Sequence, residues 1–519
     1  MIRWAILFAV VLAVSSTPTK CRNEGECLEE RIHPDLPEPP QGRATDLDDS
    51  ENKQTYWLNN AQDFVKTVTK RERNLKKAKN VIFFIGDGMG LATLAAARAL
   101  KGGEEMKLAF EDFPDVGLAK TYSLDYIVPD SASTATAYLG GVKGNYYTVG
   151  VNGHVKKNDC EAMQVEANHV ESIAQWAIDD GKSAGIVTTT RVTHASPAGT
   201  YAHTAHRDWE SDSFIKKNCG ADSKAQDIAY QLVHGKTGSE FKVIFGGGRR
   251  EFVDKTLDKR GIRTDGKDLM KEWVDAKPNS KFIETLTDFH NLDVDQVDRV
   301  MGLFQDSHML YHLNDTEKSQ PTLEQMTMKA IQMLAKDDEG YFLFVEGGKI
   351  DLAHHDTQAQ IALDETLEFS KAVDMALKIT DDETLIVISS DHSHTFSVAG
   401  YPNRHNDIFG FGGSRANDGN PYMTLSYANG PSYDTYFDTK KNERIDPSKV
   451  KRDDPAAFFP ATFDIDSETH GGEDVAVFAK GPFSHLFTGV YEQNTIPHLM
   501  AYAACWNKHF QMCDKLEKP

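Results

Sequence analysis

The 519-residue sequence predicts a three-layer α/β/α protein, in which helices cover both faces of a central, mostly parallel sheet. Short apolar runs rich in β-branched residues recur along the chain, helical patterns separate them, and polar or Gly-rich residues follow each run. Strands buried on both faces have this pattern, and their alternation with helices predicts parallel pairing. The predicted strands are Val81–Ile85, Ala184–Val187, Phe241–Phe245, Tyr341–Val345, Leu385–Ile388 and Val475–Phe478.

The segments between these strands have helical or loop character. Leu91–Lys101 and Ser172–Asp180 are predicted helices, and a long helical pattern extends from the fourth strand to Lys378. The charged segment Tyr56–Lys79 is compatible with a helical arm. Residues 400–466 are dominated by Gly, Asn, Asp, Tyr and Pro, which predicts an inserted, surface-exposed subdomain of short strands and loops.

Sequence features at the two ends of the chain predict its cellular location. Residues 1–17 resemble a secretory signal peptide, because Arg3 precedes an apolar run that is too short to span a bilayer and small residues follow it. A buried first helix is the alternative. Residues 18–80 form an arm and linker with a Pro-rich segment at His33–Pro40, and 81–519 form the predicted main domain. Because 504–519 lack the apolar tail of a lipid-anchor signal, we expect a secreted, extracellular protein without a stable membrane anchor.

The net charge and the cysteines of the chain argue against some classes of protein function. The net charge of −21 argues against a nucleic-acid-binding protein, which needs a basic surface. The six cysteines suit an oxidising compartment, and no C-x-x-C pair favours cysteine-bound metal. Sequence proximity pairs Cys505 with Cys513 and Cys21 with Cys27, which leaves Cys160 for Cys219. Asn314 begins a glycosylation sequon, and its occupancy stays open.

Carboxylates and imidazoles follow the predicted strands. The set comprises Asp87, Glu346, Asp351, His354, His355, Asp391, His392, His394 and His470. In open α/β sheets the carboxyl ends of the strands form the ligand-binding edge, and these side chains are the ligands that zinc and magnesium prefer. Asp351 and His355 are four residues apart on a helix and can share one metal, whereas His354 points elsewhere. The alternative interpretation is that these residues are helix caps and ordinary histidines. The coincidence of so many of them at one edge of the predicted sheet disfavours this alternative.

Ser131 is a candidate nucleophile at the start of an Ala-rich helix. Unpaired N–H groups and the positive end of the helix dipole favour both an alkoxide and a phosphoryl group there. A simple helix cap is the alternative. No G-x-S-x-G motif surrounds this serine, so ordinary serine-hydrolase chemistry is not indicated.

Five long motifs resemble the animal alkaline phosphatases in order and spacing. They are FFIGDGMG, VPDSASTATAY, TTTRVTHASPAGTYAH, FVEGGKID and ETHGGEDVAVFAKGP, and the similarity extends from about Tyr56 to Cys513. The resemblance implies a homodimeric phosphate monoesterase with two zinc ions and one magnesium ion per subunit, and it likens residues 400–466 to that family's crown domain.

The resemblance also assigns roles position by position. One zinc would be bound by Asp351, His355 and His470, and the other by Asp87, Asp391 and His392 with the nucleophile Ser131. Magnesium would be bound by Asp87, Ser196 and Glu346. Arg207 would bind the substrate phosphate, and His194 and His394 would lie just behind the metal ligands.

Three positions depart from the family pattern. Leu352 stands where animal members commonly have His, and Gln305 and Gln320 stand where a calcium site would need carboxylates. We therefore expect altered turnover or metal affinity, and we do not predict a calcium ion. A phosphodiesterase or sulfatase of the same superfamily, and a non-catalytic binding protein on this fold, are the alternative functions.

Overall fold

A computed structural model describes residues 49–452 and 454–506. Within these ranges the α-helices are α1 (Gln54–Thr69), α2 (Leu91–Lys101), α3 (Ser131–Gly140), α4 (Ile173–Asp179), α5 (Ala195–Ala198), α6 (Asp212–Cys219), α7 (Ile228–His234), α8 (Leu269–Ala276), α9 (Leu286–His290), α10 (Leu323–Leu334), α11 (Lys349–His355), α12 (Ala359–Ile379), α13 (Tyr433–Tyr436) and α14 (Ile496–Ala504). None of these helices is both long enough and apolar enough to cross a bilayer.

The strands of the same two ranges are β1 (Asn80–Gly86), β2 (Asp115–Lys120), β3 (Ser183–Arg191), β4 (Val243–Gly247), β5 (Ser280–Ile283), β6 (Arg299–Leu303), β7 (Tyr341–Gly347), β8 (Thr384–Ser390), β9 (Ser393–His394), β10 (Phe396–Val398), β11 (Phe411–Arg415), β12 (Pro421–Met423), β13 (Leu425–Gly430), β14 (Phe437–Asp438), β15 (Glu443–Arg444), β16 (Ala461–Asp464), β17 (His470–Gly471), β18 (Val475–Lys480) and β19 (Gly489–Glu492). Residues 400–466 contribute six of the short strands and form no part of the central sheet.

The central sheet confirms the predicted fold class. Its ten strands lie in the order β19-β2-β18-β8-β1-β7-β3-β4-β6-β5, and only β18 runs antiparallel to its neighbours. All six predicted apolar runs lie in or overlap buried strands of this sheet. The sequence prediction missed β2, β5, β6 and β19. Three of them are partly exposed strands at or near the sheet edges, and β6 begins with Arg299, so none shows a long apolar run.

Each face of the sheet packs on its own apolar core, as the alternation along β1 shows. Val81, Phe83 and Ile85 belong to one buried cluster, and Ile82 and Phe84 belong to the other. A strand covered on both faces needs apolar residues at every position, which is the pattern that predicted it.

Two features outside the sheet concern the cysteines and the glycosylation sequon. Cys160 and Cys219 form the predicted disulfide, with their Cα atoms 5.8 Å apart. The signal peptide, the Pro-rich segment, and the Cys21–Cys27 and Cys505–Cys513 pairings involve residues outside the described ranges and stay predictions. Asn314 is the exposed last residue of the short 3-10 turn His312–Asn314, so it is accessible to a glycan.

Candidate metal centre and active site

Strand register brings the predicted ligands together at one edge of the sheet. Ile85 of β1 pairs with Glu346 of β7, and Gly86 pairs with Ser390 of β8. Asp87 therefore leaves β1 between Glu346 on one side and Asp391 on the other. All three carboxylates are fully buried, which parallel strand ends make possible.

A first cluster joins Asp351, His355 and His470. The Nε2 atoms of the two histidines are 3.1 Å apart, and each lies 3.3 to 3.4 Å from the Asp351 Oδ1. Ligands at about 2.0–2.1 Å from a tetrahedral zinc ion are separated by about 3.3–3.4 Å, so the spacing fits this metal. The His355 Nδ1–H donates to the carbonyl of Glu468 and the His470 Nδ1–H to the carbonyl of Pro129, which leaves both Nε2 lone pairs facing the cluster.

His394 supports this cluster from behind. Its Nε2 lies 2.8 Å from the Asp351 Oδ1, and its Nδ1 contacts the carboxylate of Glu468. Although burial alone would lower it, the two carboxylates raise the pKa of His394 to about 10. Glu468 also accepts from the backbone N–H and the hydroxyl of Thr395, so Asp351 is held by a fixed hydrogen-bond network.

A second cluster contains the candidate nucleophile. The His392 Nε2 lies 3.0 Å from the Asp391 Oδ2, 3.5 Å from the Asp87 Oδ1 and 3.2 Å from the Ser131 Oγ. The Ser131 Oγ is itself 3.5 Å from the Asp87 Oδ1. These separations again fit four ligands around one tetrahedral ion. The His392 Nδ1–H donates to the carbonyl of Ser393 at 3.2 Å, so its Nε2 lone pair faces the other three groups.

A third cluster is marked by buried polar atoms that have no hydrogen-bond partner within the described ranges. They are the Asp87 Oδ2, the Glu346 Oε1, the Ser196 Oγ and the His194 Nδ1. Burial and the neighbouring carboxylates raise the pKa of Asp87 well above its usual range, and burial raises that of Glu346 to about 7. Ionised carboxylates in such a place require a compensating cation, and a mainly oxygen donor set suits magnesium.

Ser131 is the first residue of α3, and Asp130 caps this helix. The Asp130 Oδ1 accepts from the Ser133 N–H at 3.2 Å, and its Oδ2 lies 3.2 Å from Nη1 of Arg207. Asp130 thus joins the helix of the nucleophile to the predicted phosphate-binding guanidinium. The Arg207 Nη2 lies 3.2 Å from the His194 Nε2, so His194 connects this guanidinium to the third cluster.

Sequence reasoning missed several supporting residues. Asp130 belongs to the VPDS motif, but a helix cap alone explains it. Thr188 and Thr190 at the end of β3 donate their hydroxyls to Glu346, and Glu468 fixes His394. Their partners lie far away in sequence, so no local pattern could have identified them.

The structure shows the surroundings of the residues that depart from the family pattern, and of His354. Leu352 is a partly exposed residue of α11, between Asp351 and Ala353. The Gln320 Oε1 accepts from the Gln305 side chain at 3.3 Å and from the Leu310 N–H at 3.0 Å, so a neutral hydrogen-bonded pair stands there. His354 is buried and lies within hydrogen-bond distance of Thr93 and Tyr427, away from the three clusters.

Comparison with known proteins agrees with this architecture. A family model described as alkaline phosphatase matches residues 78–506. The chain is 43% identical over 512 residues to the membrane-bound alkaline phosphatase of Bombyx mori, covering 93% of this chain and 91% of that protein. It is 43% identical over 486 residues to the human tissue-nonspecific isozyme of alkaline phosphatase, covering 90% of this chain and 91% of that protein.

A solved structure is similar over most of the fold. It is a mutant alkaline phosphatase from the Antarctic bacterium TAB5 with Mg bound in its M3 site, and it is 26% identical with a TM-score of 0.60. The match covers 84% of this chain and 100% of that one. Fold and relatives together define a phosphoric monoester hydrolase. The chain belongs to the alkaline phosphatase family.

Proposed function

We propose that this protein hydrolyses phosphate monoesters through a phosphoserine intermediate on Ser131, using two zinc ions and one magnesium ion. One observation carries the proposal: the Ser131 Oγ lies 3.2 Å from the His392 Nε2 at the N-terminus of α3, on a helix that Asp130 ties to Arg207. The proposed nucleophile thus lies beside a cluster of proposed metal ligands, and the residue that caps its helix contacts the proposed phosphate-binding guanidinium.

The donor types support one arrangement of the proposed metals. Asp351, His355 and His470 would hold one zinc ion, and Asp87, Asp391, His392 and Ser131 would hold the other. Asp87, Glu346 and Ser196 would hold magnesium. The bound ions would supply Lewis-acid stabilisation of charge on oxygen and a lowered pKa for serine and water.

The protein's own groups position the reaction. Arg207 offers a planar pair of N–H donors to two phosphate oxygens, and Asp130 orients it. The N-terminus of α3 directs backbone N–H groups at the transferring phosphoryl group. The Ser131 oxygen attacks phosphorus in line as the alcohol leaves, and water then cleaves the P–O bond to serine and releases inorganic phosphate.

The test compares p-nitrophenyl phosphate with its bis-ester and with p-nitrophenyl sulfate. We expect the monoester to be hydrolysed far faster, and we expect Ser131→Ala to lose this activity while an exposed control, Ser397→Ala, retains it. Faster turnover of the diester or sulfate favours the superfamily alternatives. A wild-type protein that binds phosphate without turnover favours the binding-protein alternative.

Metal dependence is tested separately, by chelation and metal analysis. Removing the metals should abolish both turnover and phosphate binding, because the cations that would compensate the buried carboxylates and attract the phosphate would then be gone. Adding zinc and magnesium should restore both. Full activity of a metal-free preparation contradicts the proposal.

We also propose a homodimer. Helix α1 has no buried residue. Its large apolar side chains Trp57, Phe64 and Val65 are all more than half exposed. A second copy of the chain would cover such an apolar face. Sedimentation should show a dimer, and Phe64→Asp should weaken it, whereas Leu257→Asp at another exposed position should not. A monomeric wild type refutes this proposal.

Secretion is the last part of the proposal, and the N-terminal signal motif supports it. Expression of the full chain in animal cells should deliver activity to the medium, and deletion of residues 1–17 should retain it inside the cells. Activity that stays with the membrane fraction would contradict a freely secreted protein.

A further inference from the structure

Residues 493–498, which lead from β19 into α14, contact the backbone of the second cluster. Gln493 is fully buried, and its side-chain Nε2 donates to the Asp391 carbonyl at 2.8 Å and reaches the Ser390 carbonyl at 3.5 Å. Because both partners are acceptors, the amide nitrogen is the group that faces them. The side chain of Gln493 therefore holds the backbone of a proposed zinc ligand directly.

The carboxylate of Asp391 is fixed by other groups. Its Oδ1 accepts from the backbone N–H groups of Gly88 and His392, each at 2.9 Å. Its Oδ2 is buried, lies 3.0 Å from the His392 Nε2 and has no hydrogen-bond partner in the described part of the chain. Asp391 is thus held at its carbonyl and at one carboxylate oxygen, and the other oxygen is left for the proposed metal.

The same segment also contacts the far end of the helix that carries Ser131. The Asn494 Nδ2 donates to the Gly141 carbonyl at 3.1 Å, and the His498 Nε2 lies 3.3 Å from that carbonyl. Gly141 is the left-handed C-cap of α3, and a Cβ atom there would lie only 2.3 Å from the His498 Nε2. Because the last carbonyls of a helix have no partner within it, these two side chains satisfy and fix the end of α3.

A purely structural role explains Gln493 poorly. Its Oε1 is buried and has no hydrogen-bond partner among the residues that the structure describes. An unpaired amide oxygen costs stability in such a place, and an apolar side chain of similar length would avoid that cost. The amide is therefore useful here through its N–H groups, which reach the backbone of Ser390 and Asp391.

We propose that residues 493–498 form a brace that sets the distance between Asp391 and Ser131, with Gln493 as the positioning residue of Asp391. The inference rests on the proposed function, because it concerns ligands of the second proposed zinc ion. The brace contacts the second cluster on two sides, through the backbone just after β8 and through the C-terminus of α3. Loss of either contact would let the donor atoms depart from the spacing that a tetrahedral ion requires.

The first test measures zinc affinity without turnover, by competition with a chromophoric chelator. Gln493→Met keeps the length of the side chain but removes its N–H donors. We expect the wild type to bind two zinc ions, and we expect the variant to bind one of them about 10- to 100-fold more weakly. Gln175→Met is the matched control, because buried Gln175 bonds Asp179 and Thr237 instead, and it should leave both zinc affinities unchanged.

The second test is a double-mutant cycle on kcat for p-nitrophenyl phosphate at saturating zinc. Asn494→Ala removes a donor at the other contact of the brace and should lower kcat by roughly 10-fold, since a small displacement of Ser131 is costly. Because both contacts belong to one brace, the loss in the Gln493→Met/Asn494→Ala protein should differ from the product of the single losses by about twofold or more. Losses that simply multiply would contradict a single brace.

Two further outcomes overturn the proposal. Wild-type zinc affinity and wild-type kcat in Gln493→Met would show that the amide does not position Asp391. Equal losses in Gln493→Met and Gln175→Met would show a general weakening of the fold. If Gln493→Met fails to fold, Asn494→Ala, at a partly exposed position, tests the brace through the same two measurements. Failure of the proposed function looks different, since the wild type would then bind fewer than two zinc ions or hydrolyse no monoester.

Discussion

Replacing Asp130 separates its structural role from its role in the site. Asp130→Asn keeps a good helix cap but removes the charge that faces Arg207, whereas Asp130→Ala removes both. The side chains of Asp130 and Arg207 are 2% and 13% exposed, so the pair is largely desolvated. The same carboxylate accepts from the Ser133 hydroxyl at 2.9 Å and from the Tyr147 N–H at 3.1 Å.

The magnitudes follow from these contacts. A hydrogen bond to a charged group contributes about 1.5–3 kcal/mol, so loss of the oriented guanidinium should raise the Ki of inorganic phosphate by roughly 10-fold or more in Asp130→Asn. Removing a negative charge works in the opposite direction. We expect orientation to dominate, because the guanidinium and three further donors already neutralise this carboxylate. Asp130→Ala should also lose about 1 kcal/mol of unfolding free energy with the cap.

The assay combines phosphate inhibition of monoester hydrolysis with urea unfolding. Thr322→Ala is the matched control, because Thr322 caps α10 through a capping box away from the site. It should lose about 1 kcal/mol of stability and leave the phosphate Ki unchanged. An Asp130→Asn protein with a wild-type or lower Ki would refute the reasoning.

Three further predictions concern other parts of the molecule. The Cys160–Cys219 disulfide closes a loop with a sequence separation of 59, and such a link lowers the conformational entropy of the unfolded chain. Replacing both cysteines with serine should therefore lower the free energy of unfolding by about 4 kcal/mol in urea titrations. A loss below about 1 kcal/mol would contradict this entropic explanation. Burial, and next the charge of Glu210, raise the pKa of Glu251 to about 7 from 4.5, so this group's contribution to stability is lost as pH rises through about 7. Glu251→Gln should therefore exceed the wild type by up to about 3 kcal/mol near pH 8 and show no gain near pH 4, and equal stabilities at both would contradict this. Leu352→His should change kcat or magnesium affinity, and unchanged kinetics would show that the Leu352 position does not influence the site.

The sequence predicts the central strands and the proposed metal ligands at their ends better than it predicts the residues that hold those ligands by hydrogen bonds. Val81–Ile85 is apolar at every position because both faces of β1 are covered. Asp87 directly follows the strand that contains this run, so the same pattern places it at the edge of the sheet. β2 alternates between exposed and buried positions, and such a short strand has no distinctive pattern. Glu468 could not be predicted, because its role depends on the approach of His394 from 74 residues away. Local patterns report local burial, whereas these contacts arise only from the folded chain.

The transfer of phosphate from substrate to Ser131 can be observed directly. Wild-type protein should be mixed with p-nitrophenyl phosphate, quenched in acid and digested, and the peptide that contains Ser131 should be analysed by mass spectrometry. We expect phosphate on Ser131 in the wild type and none on that peptide in Ser131→Ala. Phosphate on another residue, or active enzyme that never carries phosphate on Ser131, would contradict it.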